Sequence, residues 1–267
     1  YSLQSVNQFT YIKKSNVITV WQIRSILLAI LFLASVSSGC LSDSQDVRAI
    51  DLIVNYETTN GTIIESYVDG EHISTTNASL EFDFSNSTSN VKIVEFGIDP
   101  MDGRSSISVD PVAESSILIE FSNHGIYEIN AYAIDGKNQK ENITIVVRID
   151  LNIEWSEFDT HEPMPLIINP IPDNGGISPS SFVINSTVEN PALIENVGGG
   201  QEVEVTWFLV DPQEDACQSQ KGFVHEGERV TWKTIHFNTL EIHELRLSYD
   251  EGQDYIDVHH TISIEYS

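Results

Sequence analysis

Two kinds of residue are scarce in this 267-residue chain: cysteine, with two copies, and the basic residues, with 13 Lys and Arg against 40 Asp and Glu. The formal net charge of −27 opposes binding to nucleic acid, because phosphate backbones are held by clustered Lys and Arg. We therefore expect no nucleic-acid partner. A hydrophobic content of 40% is enough to form a core, so the chain is not a disordered acidic tail.

The two cysteines are far apart in the chain, at Cys40 and Cys217. If Cys40 carries a lipid, as argued below, Cys217 has no cysteine left to pair with inside the chain. The fold must then be held by its hydrophobic cores rather than by a disulfide. Cys217 could pair between chains, but an isolated loop cysteine is more often inert.

The first 40 residues contain no acidic residue, and all 40 Asp and Glu follow Cys40. Lys13, Lys14 and Arg24 precede an apolar run, Ile26–Ala34, which ends in small residues. This order of a basic flank, a short apolar segment and small residues is typical of a secretory signal. We predict that residues 1–39 are a signal peptide, with an uncleaved membrane anchor as the alternative.

The end of this segment, Ser37-Ser38-Gly39-Cys40, resembles a lipobox, in which the cysteine is lipid-modified and becomes the new N-terminus. The resemblance implies a lipid on Cys40, a polar tether over residues 40–49, and an exported protein anchored to the membrane at the cell surface. A plain cleavage site with an incidental cysteine is the alternative. Stable anchoring by acyl chains requires two of them.

After the tether the chain alternates apolar and polar residues in short runs separated by turn residues, which predicts antiparallel strands with one buried face. No helical pattern is evident. We predict an all-β protein of two tandem immunoglobulin-like β-sandwiches, over residues 50–150 and 151–267, with a short linker or none near Asp150. The residues that share strand faces are Leu80, Phe82 and Phe84; Ile117, Ile119 and Phe121; Ile143, Ile145, Val147 and Ile149; Val203, Val205, Trp207 and Leu209; and Ile256, Val258, His260, Ile262, Ile264 and Tyr266.

A Pro-rich stretch over residues 163–179 interrupts the second half. Proline cannot donate to a strand ladder, so this stretch cannot be a central strand. We expect edge structure and loop there.

Residues 50–150 contain four further elements in a recognisable order: Leu80–Ser87, Val91–Gly103, Gly125–Ile129 and Asp135-Gly136. Gly125 suits a tight corner, and Tyr127 can bury its ring while its hydroxyl bonds to the backbone. This arrangement resembles the PKD-type immunoglobulin-like domain. The resemblance implies a sandwich that serves as a spacer or binds proteins or glycans without catalysis. Residues 151–267 are generically immunoglobulin-like or fibronectin-like.

Catalytic motifs for nucleophilic serine, phosphate loops, dinucleotide binding and His-Glu-x-x-His zinc sites are absent from the sequence. Six of the eight His residues lie in the second half, but His259 and His260 point to opposite faces of one strand and cannot share an ion. We expect His260 to be a hydrogen-bonded core residue. We predict no cofactor, apart from a structural Ca²⁺ that the loop carboxylates Asp99 and Asp102 could bind. Asp211, Glu214 and Asp215 form a second acidic loop of this kind.

The sequence contains five Asn-x-Ser/Thr sites, which matter only if the cell glycosylates exported proteins. The candidate asparagines are Asn60, Asn77, Asn86, Asn142 and Asn185.

Together these patterns predict a non-catalytic cell-surface lipoprotein that displays β-sandwich modules for adhesion, protein or glycan binding, or spacing. An accessory or solute-binding component of a surface complex is the first alternative and would show a saturable ligand and a cleft between the domains. An unrecognised hydrolase is the second and would need convergent acid and base groups in one pocket. The aromatic residues considered for a ligand surface are Trp207, Trp232, Tyr249 and Tyr255, of which the two Trp are more often core.

Overall fold

The computed structural model describes residues 50–192 and 201–266, so Cys40 and the segments predicted over residues 1–39 and 40–49 lie outside the described residues. Within the described ranges there are strands and loops but no helix, which confirms the predicted all-β class. Accordingly, the described part of the chain holds no helix long and apolar enough to cross a membrane. The strands are β1 (Ile50–Asp51), β2 (Asn60–Val68), β3 (Glu71–Thr76), β4 (Ala78–Asp83), β5 (Thr88–Ser89), β6 (Ile93–Asp99), β7 (Ile107–Val109), β8 (Ser116–Phe121), β9 (Gly125–Asp135), β10 (Lys140–Thr160), β11 (Leu166–Ile168), β12 (Ser181–Glu189), β13 (Val203–Val210), β14 (Ala216–Val224), β15 (Arg229–His236), β16 (His243–Glu251) and β17 (Ile256–Glu265).

A single 21-residue strand, β10, joins the two halves of the chain. Its first half pairs antiparallel with β9, from Lys140 to Ile149, and its second half pairs antiparallel with β17, from Leu151 onward. The predicted boundary at Asp150 therefore falls inside a continuous strand, and all described residues belong to one compact unit. The division of the chain into two domains at this point stays a prediction. In the structure, β10 belongs to both halves.

In the first half, β10, β9, β6 and β7 form one layer, and the β4–β8 pair forms the opposing layer. Aromatic rings bridge the two layers: Phe84 stacks on Phe96 with centroids 5.0 Å apart, and Phe121 lies 4.8 Å from Tyr127. The Tyr127 hydroxyl donates to the backbone carbonyl of Asn123 at 2.7 Å, as the sequence predicted. Ile143 departs from the prediction, since it is exposed while Ile145, Val147 and Ile149 on the same face are buried.

In the second half, β15, β12, β17 and the second half of β10 form one layer, and β11, β16, β13 and β14 form the other. Trp207 and Trp232 pack between the layers, with centroids 6.4 Å apart. The Pro-rich stretch behaves as predicted, because its one strand, β11, lies at the edge of the four-stranded sheet. The apolar face of β17 is buried along its whole length, including His260.

One pairing was not foreseen from the sequence. Strand β2, from the first half of the chain, pairs parallel with β10 from Arg148 to Ser156, and so extends the layer of the second half. Strand β3 then pairs antiparallel with β2 at the outer edge. The β2–β3 hairpin thereby covers the junction of the two halves.

Candidate functional site

A cavity of about 490 Å³ opens where the β2–β3 hairpin meets both halves of the chain. Its walls come from β2, from the Ser122–His124 loop between β8 and β9, from β10, and from the Pro-rich stretch around Leu166. This volume lies in the range of cavities that bind small molecules, about 300–1,000 Å³. The cavity is therefore the leading candidate for a binding site.

The floor of the cavity follows from the parallel register of β2 and β10. Leu151, Ile153 and Trp155 project from one face of β10, because alternate residues of a strand share a face. Their partners across the ladder on the same face are Ile63, Glu65 and Tyr67. The floor thus changes from aliphatic at one end to aromatic at the other, with one carboxylate in between.

The aromatic end is built from Tyr67 and Trp155, whose rings stack at 5.6 Å with an interplanar angle of 29°. The Trp155 indole N–H donates to Glu157 Oε1 at 2.8 Å, which fixes the ring. Glu157 is itself buried and also accepts from the Met164 backbone N–H. The aromatic pair is therefore held rigidly before any ligand arrives, which lowers the entropic cost of binding.

Polar groups surround this floor. The loop that contains Asn123 and His124 is positioned by the Tyr127–Asn123 hydrogen bond and by a 2.8 Å contact between His124 Nδ1 and the Tyr266 hydroxyl. Asn169 and Asp173, which belong to the Pro-rich stretch, also line the cavity. The cavity therefore presents amides and carboxylates next to aromatic and aliphatic surface.

Burial lowers the pKa of His124, against the opposing effect of the nearby Asp173 and Glu65 carboxylates. Burial, together with a 3.0 Å hydrogen bond to Glu65 Oε2 and the charge of that carboxylate, raises the pKa of Tyr67 to about 12. Tyr67 is thus a neutral phenol at physiological pH. Glu65 and Asp173 are the two acidic residues among those that line the cavity.

Of the predicted Ca²⁺ ligands, Asp99 is the last residue of β6 and Asp102 lies in the loop that follows it. Asp99 Oδ1 accepts the Met101 backbone N–H at 2.9 Å. The Arg104 guanidinium pairs with Asp102 Oδ2 at 2.6 Å. Burial acts to raise the pKa of Asp102, but the hydrogen bonds and the charge of Arg104 together outweigh it and lower that pKa. Arg104 already neutralises one of the two carboxylates, and the Ca²⁺ site stays a prediction.

In the second acidic loop, Arg246 forms a two-pronged ion pair with Glu214, at 2.7 and 3.2 Å. Asp211 Oδ1 accepts the backbone N–H groups of Gln213 and Asp215. These carboxylates thus have partners in the folded chain.

The predicted glycosylation sites differ in access. Asn60, Asn77, Asn86 and Asn142 are exposed, whereas Asn185 is partly buried within β12, between β15 and β17. The Asn185 Oδ1 atom is enclosed. Glycosylation at all five positions stays a prediction.

The aromatic residues proposed for a ligand surface separate into two groups. Trp207 and Trp232 are core residues, as the sequence favoured. Tyr255 is exposed and its ring lies 4.0 Å from that of His161. None of the four lines the cavity.

The sequence contains a partial signal for the cavity. Ile63, Glu65 and Tyr67 lie two residues apart in the run Thr62–Val68, which is rich in β-branched and aromatic residues. That composition favours a strand, but it does not predict pairing with β10, because the paired residues are 88 positions apart in the chain. The long-range parallel ladder brings Tyr67 to Trp155, and only the folded structure shows it.

No protein-family profile matches the chain, and no curated protein matches it significantly. Among solved structures, the chain is similar to one from work on the structural basis of promiscuous specificity in carbohydrate-binding modules of the β-sandwich superfamily. The TM-score is 0.31, and the identity is 9% over 79% of this chain and 96% of that one. A second is a structure from Clostridium perfringens ZmpB containing CBM51-2 in complex with GlcNAc, with TM-score 0.26 and 9% identity over 79% and 48%.

A third is SGBP-B of the Bacteroides ovatus mixed-linkage glucan utilization locus in complex with a mixed-linkage heptasaccharide, with TM-score 0.23 and 14% identity over 77% of this chain and 52% of that one. The chain thus spans about half the length of the second and third of these structures. At these identities and TM-scores, the matches assign neither a family nor a ligand to this chain.

Proposed function

We propose that this protein is a non-catalytic, exported binding protein whose cavity takes a neutral or amino-sugar glycan. The observation that carries the proposal is the rigid Tyr67–Trp155 pair beside the Glu65 carboxylate in a cavity of ligand size. A sugar ring has apolar C–H faces and a rim of hydroxyls. An aromatic floor with a rim of amides and carboxylates matches both parts of such a ligand.

The charge of the cavity selects among glycans. Glu65 and Asp173 line it, and the chain after Cys40 carries 10 basic and 40 acidic residues. Acidic sugars would bring a further negative charge next to these carboxylates, which costs free energy. Neutral sugars avoid this repulsion, and a protonated amino sugar is attracted by the carboxylates.

Surface display completes the proposal. In it, the chain is anchored through a lipid on Cys40, the tether over residues 40–49 separates the sandwiches from the membrane, and the PKD-like first half supports the cavity. The polar cavity at the junction favours the solute-binding alternative over a role as a spacer. The hydrolase alternative would require catalytic groups in this cavity that cleave the bound ligand.

Binding is tested on the full chain with a glycan array that contains neutral, amino-sugar and uronic-acid oligosaccharides, followed by calorimetry on the best binder. We expect Tyr67→Ala to weaken binding at least about tenfold, because Tyr67 supplies the accessible part of the aromatic floor. Tyr255→Ala is the matched control, since it removes an exposed tyrosine outside the cavity, and its affinity should be unchanged. Thermal unfolding of both variants checks that the fold is intact.

Three outcomes would overturn the proposal. Binding confined to uronic-acid oligosaccharides would contradict the charge argument. Loss of binding in Tyr255→Ala but not in Tyr67→Ala would place the site on the other aromatic surface. Cleavage of the bound oligosaccharide would show an enzyme instead of a binding protein.

A further inference from the structure

A second cluster of polar side chains lies in the second half of the chain, away from the cavity. Cys217, His236 and His243 come from strands β14, β15 and β16, and their ligand atoms all lie within 4.8 Å of one another. None of the three lines the cavity. Their types, one thiol and two imidazoles, are donors that Zn²⁺ prefers in proteins.

The two histidines are buried, with exposures of 9% for His236 and 1% for His243. Each has an Nε2 atom that is enclosed and has no hydrogen-bond partner among the described residues. A buried polar atom without a partner destabilises the folded state, so two neighbouring atoms of this kind call for an explanation. A metal ion between them would supply the missing partner to both.

The tautomer of His243 favours this explanation. Its Nδ1 lies 2.9 Å from the Glu241 backbone carbonyl, which can only accept a hydrogen bond. Nδ1 therefore carries the proton, and Nε2 presents its lone pair to the cluster. Metal-bound histidines commonly have their second nitrogen bonded to a carbonyl in this way. The His236 ring stands 4.5 Å from that of His243, and its 3.4 Å contact with Gln218 is too long to fix a tautomer.

The third donor is placed by a β-bulge. Leu209 pairs with Gln218 and Val210 with Ala216, which leaves Cys217 as an extra residue on β14. Bulges of this kind redirect a side chain relative to its neighbours in a strand. Cys217 is exposed, so its side chain can rotate towards the histidines without disturbing the core.

We propose that Cys217, His236 and His243 form a binding site for Zn²⁺ that links the two sheets of the second sandwich. His236 belongs to the sheet that contains β12 and β17, whereas Cys217 and His243 belong to the opposing four-stranded sheet. Tetrahedral Zn²⁺ would hold the donor atoms about 3.3–3.6 Å apart, so the present spacing of up to 4.8 Å would close by about 1.5 Å at most.

The site is tested by adding Zn²⁺ to the full chain, purified metal-free under a reductant that does not bind metals. We expect one Zn²⁺ per chain and, at about 100-fold excess over Kd, a rise in Tm of roughly 5–10 °C. Co²⁺ serves as the spectroscopic probe, because a cobalt–thiolate bond gives a charge-transfer absorption that histidine or carboxylate ligands do not. Mg²⁺ and Ca²⁺ should give neither effect, since hard cations prefer oxygen ligands.

Cys217→Ser is the main variant, because the thiol is exposed and its replacement leaves the core intact. It should abolish the cobalt–thiolate band and weaken Zn²⁺ binding at least about tenfold, and His243→Gln should weaken binding as well. His225→Gln is the matched control, since His225 is exposed and paired with Glu202 outside the cluster. A Zn²⁺ affinity unchanged by Cys217→Ser, or no thiolate band with Co²⁺, would overturn the proposal and leave the two histidines as a structural contact.

Discussion

We predict that buried His260 makes the stability of this protein sensitive to mild acid. The side chain is 2% exposed on the inner face of β17, its Nδ1 contacts Ser186 Oγ at 2.7 Å, and its Nε2 has no partner among the described residues. Ser186 Oγ in turn accepts the Trp207 indole N–H, so its own proton is available for His260. Burial, with a smaller effect from neighbouring His259, lowers the pKa of His260 from 6.5 to about 3.

The sign of the effect follows from where the proton binds. Between pH 6.5 and 3 the unfolded chain protonates this histidine and the folded chain does not, so the free energy of unfolding falls as the pH falls through this window. The loss between pH 7 and pH 5 is about 2 kcal/mol for this one group. For a unit of this size that corresponds to a fall in Tm of about 4–8 °C. Burial also lowers the pKa values of His124 and His236, which act in the same direction.

The assay is urea unfolding of the wild type and of His260→Gln at pH 7 and pH 5. Glutamine keeps a hydrogen-bonding group near Ser186 but cannot take up a proton. Between the two pH values, we expect the free energy of unfolding of the variant to fall by about 2 kcal/mol less than that of the wild type, whatever the value for the variant at pH 7. His259→Gln, on the opposite face of the same strand, is the control and should keep the wild-type loss. An equal loss in His260→Gln and the wild type would refute the argument.

Two further predictions concern packing and processing. Gly97→Ala should lower the free energy of unfolding by about 1–3 kcal/mol in urea, because a Cβ there would lie 2.2 Å from the Tyr132 ring. The matched control, Gly136→Ala, meets nothing closer than 3.6 Å and should cost clearly less; equal losses would show that Tyr132 moves aside freely. The mass of the N-terminal peptide from the native membrane fraction should correspond to a chain that begins at lipid-modified Cys40. An unmodified N-terminus elsewhere would remove the anchor from the proposed function.

The sequence predicted most of the local structure, because strand faces follow directly from alternation. The buried face of β17, the tyrosine hydrogen bond at Asn123 and the core position of His260 are all confirmed. These features depend on residues that are close in the chain or on one strand. A period of two and a suitable turn residue are enough to specify them.

The exposure of Ile143 shows where alternation stops being sufficient. Its strand neighbours on the same face are buried, but Ile143 lies near the start of β10, next to the turn after β9. A periodic pattern states which side of a strand a residue occupies. Whether another layer covers that side depends on how far the opposing sheet extends.

The residues of the two candidate sites come together only in the tertiary structure. Tyr67 and Trp155 are 88 residues apart and meet through a parallel ladder, while Cys217, His236 and His243 meet through three strands in two sheets. In the sequence Cys217 is an isolated loop cysteine, and no spacing connects it with His236 and His243. The sequence by itself determined the all-β class and the buried faces, because those follow from local periodicity. The tertiary structure decided which distant strands pair, and so which side chains meet, because that depends on how whole sheets pack.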